Sequence, residues 1–169
     1  MPRSRRILIL TNDAGSGHRS AALALEAAFS RISGGALSVD VQNPVQHSSA
    51  PSLLRQYERL YVNEMQQAPG LYHIGYTLSD LPGVAQLLHH TVRQMLRDTI
   101  AHILNERPYD LVVSVYPIYS SIVAKITQRA ARRPAIMTVV TDLGSVHSVW
   151  FNRSDDLCAV PTTMVQARA

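Results

Sequence analysis

The sequence predicts an α/β fold, a parallel sheet flanked by helices. Short aliphatic or β-branched runs recur at wide intervals, helical patterns fill the gaps, and Gly or Pro marks the changeovers. Runs spaced in this way read as parallel strands buried on both faces. The 169 residues suffice for one domain with its own core, and 46% hydrophobic against 17% charged content excludes a disordered or fibrous chain.

The first strand is expected at Arg6–Leu10, where Ile7-Leu8-Ile9-Leu10 runs straight into Thr11-Asn12-Asp13-Ala14-Gly15-Ser16-Gly17-His18. This Gly-bearing turn opens an Ala-rich helix, Gly17–Ser33, which Ser33-Gly34-Gly35 closes with a glycine C-cap. A second strand follows at Leu37–Val41, then a helix at Ser52–Gln66 with Tyr57 and Tyr61 on one face. Through Leu81 the chain stays rich in Tyr and Leu (Tyr72 and Tyr76 included), which suits either packing over the sheet or an interfacial patch for lipid or another domain. The next helix, Gly83–Asn105, sends Val84, Leu88, Met95, Ile100 and Ile103 to one side. His89, His90, Arg93 and Arg97 lie elsewhere on it, a solvated basic face or a contact for lipid headgroups; no acid or cysteine stands at metal-ligand spacing.

Arg107-Pro108-Tyr109 turns the chain back into a strand at Asp110–Val115, and a helix at Tyr119–Arg132 follows. Arg133-Pro134 then leads into a strand at Ala135–Thr141. A last strand, Asp156–Val160, and a helix, Thr162–Arg168, complete the series. The single cysteine, Cys158, excludes an internal disulfide, reads as a buried inert thiol and suits a cytoplasmic protein. No apolar run approaches the ~18–20 residues of a membrane span. The net charge is +4, almost all of it from arginine, with Lys125 the only lysine. The arginines are scattered and no aromatic–basic ladder accompanies them, so no nucleic-acid partner is expected, whereas an anionic membrane surface fits.

In open α/β sheets ligands bind beyond the carboxyl ends of the strands. Those ends deliver Thr11–His18, Asn43-Pro44, Tyr116-Pro117 and Asp142–His147 to one edge. His18 stands in the first turn of a helix, whose positive end disfavours imidazolium and leaves a neutral ring that can accept a proton. A ring that only caps or packs against the turn is the alternative. Asp142 could support an imidazole across the cleft or bond nearby N–H groups. His147 and Trp150 offer a polar handle and a flat apolar wall, although Trp150 also suits a plain core position.

Taken together, Gly15-Ser16-Gly17-His18-Arg19-Ser20-Ala21, Tyr109-Asp110-Leu111-Val112-Val113-Ser114-Val115-Tyr116-Pro117, Val139-Val140-Thr141-Asp142 through His147 and Trp150, and Val160-Pro161-Thr162 cover nearly the whole chain. In order and spacing they resemble the N-terminal domain of the monogalactosyldiacylglycerol synthase and processive diacylglycerol glucosyltransferase family. The resemblance implies a Rossmann-like domain, residues 1–169, forming the acceptor-binding half of a GT-B glycosyltransferase, with a C-terminal donor-binding domain absent from this chain. It implies transfer of galactose or glucose from a UDP-sugar to diacylglycerol, with inversion, no cofactor and no obligatory metal, by a protein peripherally associated with a membrane. His18 and Asp142 then take catalytic positions, His18 as the base. Gly15, Ser16, Gly17, Tyr116, Pro117, His147 and Trp150 take acceptor-side positions. Two residues depart from the family pattern: Ser16 replaces a glycine, and Tyr116 replaces a common histidine and removes its ring nitrogen. Two alternatives remain open, a transferase acting on another lipid-linked acceptor such as a peptidoglycan precursor, and a non-catalytic nucleotide- or lipid-binding module. A dinucleotide-dependent dehydrogenase fits less well, because the turn lacks the usual glycine spacing and Asp40, the acidic candidate after the second strand, is followed by nothing else diagnostic.

Overall fold

Alternation along the first strand sets the architecture. The computed structural model describes residues 4–13, 16–56, 84–143, 146 and 148–167. In it, β1 (Arg5–Leu10) turns Leu8 and Leu10 to one face of the sheet and Ile7 and Ile9 to the other, and all four are buried. Its neighbours are β2 (Leu37–Gln42), β3 (Leu111–Ser114), β4 (Ala135–Val139) and β5 (Leu157–Ala159), all parallel and in the order β2-β1-β3-β4-β5. Ile7 stands opposite Val39 on one side and Leu111 on the other, while Val113 faces Met137.

Each face has its own helical cover. The helix α1 (Ser16–Ser33) lays Ala22, Leu25 and Phe29 over Ile7, Ile9, Val113 and Val115. On the opposite face, α2 (Val84–Glu106) and α3 (Tyr119–Thr127) bring Leu96, Ile100, Ile103, Ile122 and Val123 onto Leu8, Leu10, Val112 and Ile136. Each such aliphatic side chain contributes about 1.5–3 kcal/mol when fully buried. A third cluster gathers Val140, Val146 and Trp150 with Val165 of the short α4 (Thr163–Gln166), alongside Phe151, Cys158 and Val160.

Carboxylates splice the amino edge of the sheet. The Arg6 N–H donates to Asp110 Oδ2 at 2.9 Å, and Arg132 pairs with the same side chain. One strand pair further along, the Ile136 N–H donates to Asp156 Oδ2 at 2.8 Å beside Arg133.

Several boundaries differ from the sequence expectation, each with a local cause. The helix expected to reach Arg132 ends at Thr127, whose hydroxyl donates to the Val123 carbonyl at 2.8 Å while Ala130 N–H closes a turn onto Thr127. The last helix is four residues long; Thr162 precedes it and caps it, its Oγ1 accepting from Val165 N–H at 3.2 Å. β4 stops at Val139 rather than Thr141, so that Thr141 and Asp142 leave the ladder. Cys158 is half-buried rather than buried, and that burial pushes its thiol pKa up, away from reactivity. Gly34 and Gly35 terminate α1 as expected, with φ of +56° and +86° in the left-handed region. Residues 52–56 are helical; the remainder of the expected helix, and with it Tyr57, Tyr61, Tyr72 and Tyr76, lies outside the described residues. Among the described residues no helix is long and apolar enough to cross a membrane.

Strand order also fixes where a ligand can enter. The chain leaves β1 for β2 at one edge and returns to β3 on the other side of β1. Pairing persists to the carboxyl edge, with Thr11 N–H on the Gln42 carbonyl at 2.9 Å and Val115 N–H on the Leu10 carbonyl at 3.0 Å. The reversal of strand order at β1 places the switch-point crevice of a doubly wound sheet at the segments that follow β1 and β3.

Candidate active site

His18 sits in that crevice. The turn after β1 carries it into the first turn of α1, where its ring is half-buried. The turn after β3 supplies Tyr116, whose ring meets His18 edge-on with centroids 5.2 Å apart. A hydroxyl–carbonyl bond shapes that second turn, with Ser114 Oγ donating to the Tyr116 carbonyl at 2.6 Å. From the end of β4, Thr141 Oγ1 reaches His18 Nδ1 at 3.0 Å. Trp150 closes the far side, its ring centroid 6.1 Å from that of His18.

Burial lowers the pKa of His18 below its ordinary 6.5, because desolvation disfavours the charged ring; the Val115 carbonyl and the Asp142 carboxylate oppose the shift without cancelling it. The ring is therefore neutral at pH 7, and burial is the largest cause, where the sequence pointed to the helix end. Asp142 does not touch His18. Its Oδ2 accepts from Trp150 Nε1 at 2.7 Å, and from there the carboxylate acts on the imidazole through space.

Trp150 belongs to the third core cluster and is only 1% exposed, so it backs the site from within. Pro117 is half-buried at the entry to α3, while Ser16 and Gly17 are exposed on the first turn of α1. A Cβ built on Gly17 meets nothing within 4 Å, and no positive φ occurs there. The fold itself does not demand a glycine at 17; its absent side chain leaves open space beside His18. Gly15 and His147 lie outside the described residues.

Three contributors were not singled out in the sequence, although Asp13 lies in the Thr11–His18 segment expected at this edge. Thr141 is one, although a hydroxyl next to Asp142 at a strand end was a visible signal. Asp13 is another: Arg19 Nη1 meets its Oδ1 at 3.0 Å, and Asn43 Nδ2 donates to its Oδ2 at 3.1 Å, tying the first turn of α1 to the segment after β2. The third, Tyr119, receives a hydrogen bond on its hydroxyl from Asn12 Nδ2 at 3.0 Å and fixes the start of α3 against the end of β1. Asp40, by contrast, lies inside β2, where Tyr109 donates to it at 3.0 Å and Arg107 stands 3.6 Å away. Its carboxylate is engaged short of the carboxyl edge, which removes the acid that a dinucleotide ribose would need.

Comparison with known proteins agrees with this geometry. The family model described as "Monogalactosyldiacylglycerol (MGDG) synthase" matches residues 18–169. Monogalactosyldiacylglycerol synthase 1 (chloroplastic) of Arabidopsis thaliana is 27% identical over 169 residues, covering 99% of this chain and 31% of its own length. A probable chloroplastic counterpart from Glycine max is 28% identical, covering 99% of this chain and 32% of its own length. The chloroplastic synthase of Spinacia oleracea is 28% identical over 167 residues, at 98% and 32% coverage. The chain thus spans about a third of the length of the curated relatives it matches. With a doubly wound sheet, a neutral histidine at its switch point and a family match over residues 18–169, the chain belongs to the monogalactosyldiacylglycerol synthase family.

Proposed function

We propose that this chain forms the acceptor side of an inverting glycosyltransferase that moves galactose or glucose from a UDP-sugar to diacylglycerol. The observation that carries the reading is His18: a half-buried, neutral imidazole at the switch point, with Nδ1 on the Thr141 hydroxyl and open space over Gly17 beside it. When Nδ1–H donates to Thr141 Oγ1, Nε2 keeps its lone pair and serves as the base. The free hydroxyl of diacylglycerol gives its proton to Nε2 as its oxygen bonds to the anomeric carbon. The bond from that carbon to UDP breaks in the same displacement, its electron pair leaving with the diphosphate, and the configuration inverts. The imidazolium formed is stabilised by the Val115 carbonyl and the Asp142 carboxylate, then returns its proton to solvent.

Gly15, Ser16, Gly17, Tyr116, Pro117, His147 and Trp150 are assigned to the acceptor side, with Trp150 acting from beneath through Asp142. Donor contacts are assigned to a second, C-terminal domain of the GT-B type. Association with an anionic membrane surface suits a lipid acceptor and the net charge of +4.

The test uses the gene product that carries these residues, with labelled UDP-galactose or UDP-glucose and diacylglycerol vesicles. His18→Ala is expected to lower kcat by about 10²–10⁴ while the protein stays folded, the usual contribution of a general base. Equal turnover by the variant would remove His18 from the chemistry, and no product with either donor would favour another lipid-linked acceptor.

A further inference from the structure

We infer that the cleft between α2 and α3 is a binding site for a phosphate group, separate from the His18 crevice. It has a volume of about 90 Å³ and is lined by Arg93, Gln94, Arg97, Ser121, Ile122 and Lys125. Among the described lining residues Arg93, Arg97 and Lys125 are cations, Gln94 carries a donor amide, and Ile122 is apolar. Helical spacing produces the convergence: Arg93 and Arg97 share one face of α2 at i, i+4, and Ser121 and Lys125 do the same on α3. The two faces meet because Leu96 and Ile100 of α2 pack with Ile122 and Val123 of α3 in one core cluster.

Two observations point to an anion rather than to a merely solvated basic face. The Nε of Arg93 is buried and has no hydrogen-bond partner, a donor left without an acceptor in a protein interior that normally provides one. Among the described residues, no carboxylate lies within ion-pair distance of Arg93, Arg97 or Lys125, although four other arginines each pair with one. Cations at i, i+4 repel one another, so the cleft holds a repulsion that an anion between the helices would relieve. Two guanidiniums and an ammonium offer the forked and point-like donors that a tetrahedral phosphate accepts, and the Gln94 amide adds another, while the Ser121 hydroxyl is held on the Ile118 carbonyl at 2.9 Å. The apolar cluster beneath lowers the local dielectric and strengthens each of these contacts.

The same chemistry is presented by a free phosphate and by the headgroup of an anionic lipid, and the experiment separates them. One arm titrates inorganic phosphate into the protein and follows the Arg and Lys side-chain resonances by NMR. The other measures co-sedimentation with phosphatidylcholine vesicles, with and without a dialkyl phosphate. Arg97 and Lys125 are exposed, so Arg97→Gln with Lys125→Gln should leave the fold intact, as circular dichroism would check. Arg31→Gln with Arg153→Gln removes the same charge from exposed sites elsewhere.

At about fivefold per lost cation, the cleft double variant should bind about 25-fold more weakly, while the control keeps most of its binding. Saturable binding of inorganic phosphate alone assigns the cleft to a soluble phosphate. Binding only to the doped vesicles assigns it to a lipid headgroup. Loss of equal size in both double variants, or no phosphate-dependent binding in the native protein, would overturn the inference. These readouts need no glycosyl transfer, so they stand or fall apart from the role given to His18.

Discussion

At the scale of single residues, His18 and Gly17 make predictions of opposite kinds. The neutral His18 ring is the active form of a base, and burial holds its pKa below 6.5. Acid therefore removes activity only once the pH falls through that lowered value, so the acid limb of kcat/KM should lie below pH 6.5, with full activity at pH 7. A pH–rate profile checks this, and an acid limb above 6.5 would contradict the buried, desolvated ring. Gly17 works through space rather than charge. Because a Cβ there meets nothing and φ is not positive, Gly17→Ala is expected to stabilise the fold by about 0.5 kcal/mol through a less flexible unfolded chain. The same methyl enters the open space beside His18, so transfer should fall even as the thermal midpoint rises. A variant that gains stability and keeps full kcat/KM would show that no substrate approaches this backbone.

Among the elements, the sheet is tied at its amino edge and left open at its carboxyl edge, and the two edges have different sensitivities. Asp110 stands just before β3, yet its carboxylate receives the N–H of Arg6 in β1, so one side chain spans two strands. Asp110→Ala leaves that half-buried N–H without an acceptor and should cost about 1–3 kcal/mol. The exposed Arg132 pairing with the same carboxylate adds little. Asp110→Asn keeps an acceptor oxygen and should lose clearly less. Urea unfolding of both variants decides the matter: equal losses would mean that charge, not the acceptor, does the stapling. Much at this scale was legible from sequence, since apolar runs buried on both faces have few alternatives to a parallel strand, and Gly34-Gly35 could end a helix where other residues could not. What misled were endings set by side chains. The Thr127 hydroxyl taking the Val123 carbonyl, and Thr162 acting as a cap ahead of α4, are decided by a single hydrogen bond each, which periodicity does not register.

For the whole molecule, strand order turns scattered residues into a site. His18, Tyr116 and Thr141 follow three different strands and meet only because β3 lies between β1 and β4, with β2 outside them. The sequence could send these residues to one edge, but not into contact; the Thr141–His18 bond and the Trp150–Asp142 bond span 123 and 8 residues and depend on how loops close. The same topology argues that folding and transfer separate. The described residues bury apolar clusters on both faces of the sheet, enough for one cooperative unit. Catalysis, on the reading proposed above, also needs a donor held in line with the acceptor oxygen, and positioning of that kind supplies roughly 7–11 kcal/mol of a barrier. The 169-residue chain alone should therefore unfold in a single transition, and its His18 ring should titrate below pH 6.5 by NMR. With UDP-galactose or UDP-glucose and diacylglycerol vesicles it should give no product above background. Turnover by this chain alone would mean that it binds the donor as well as the acceptor, and the assignment of donor contacts to a second domain would fall.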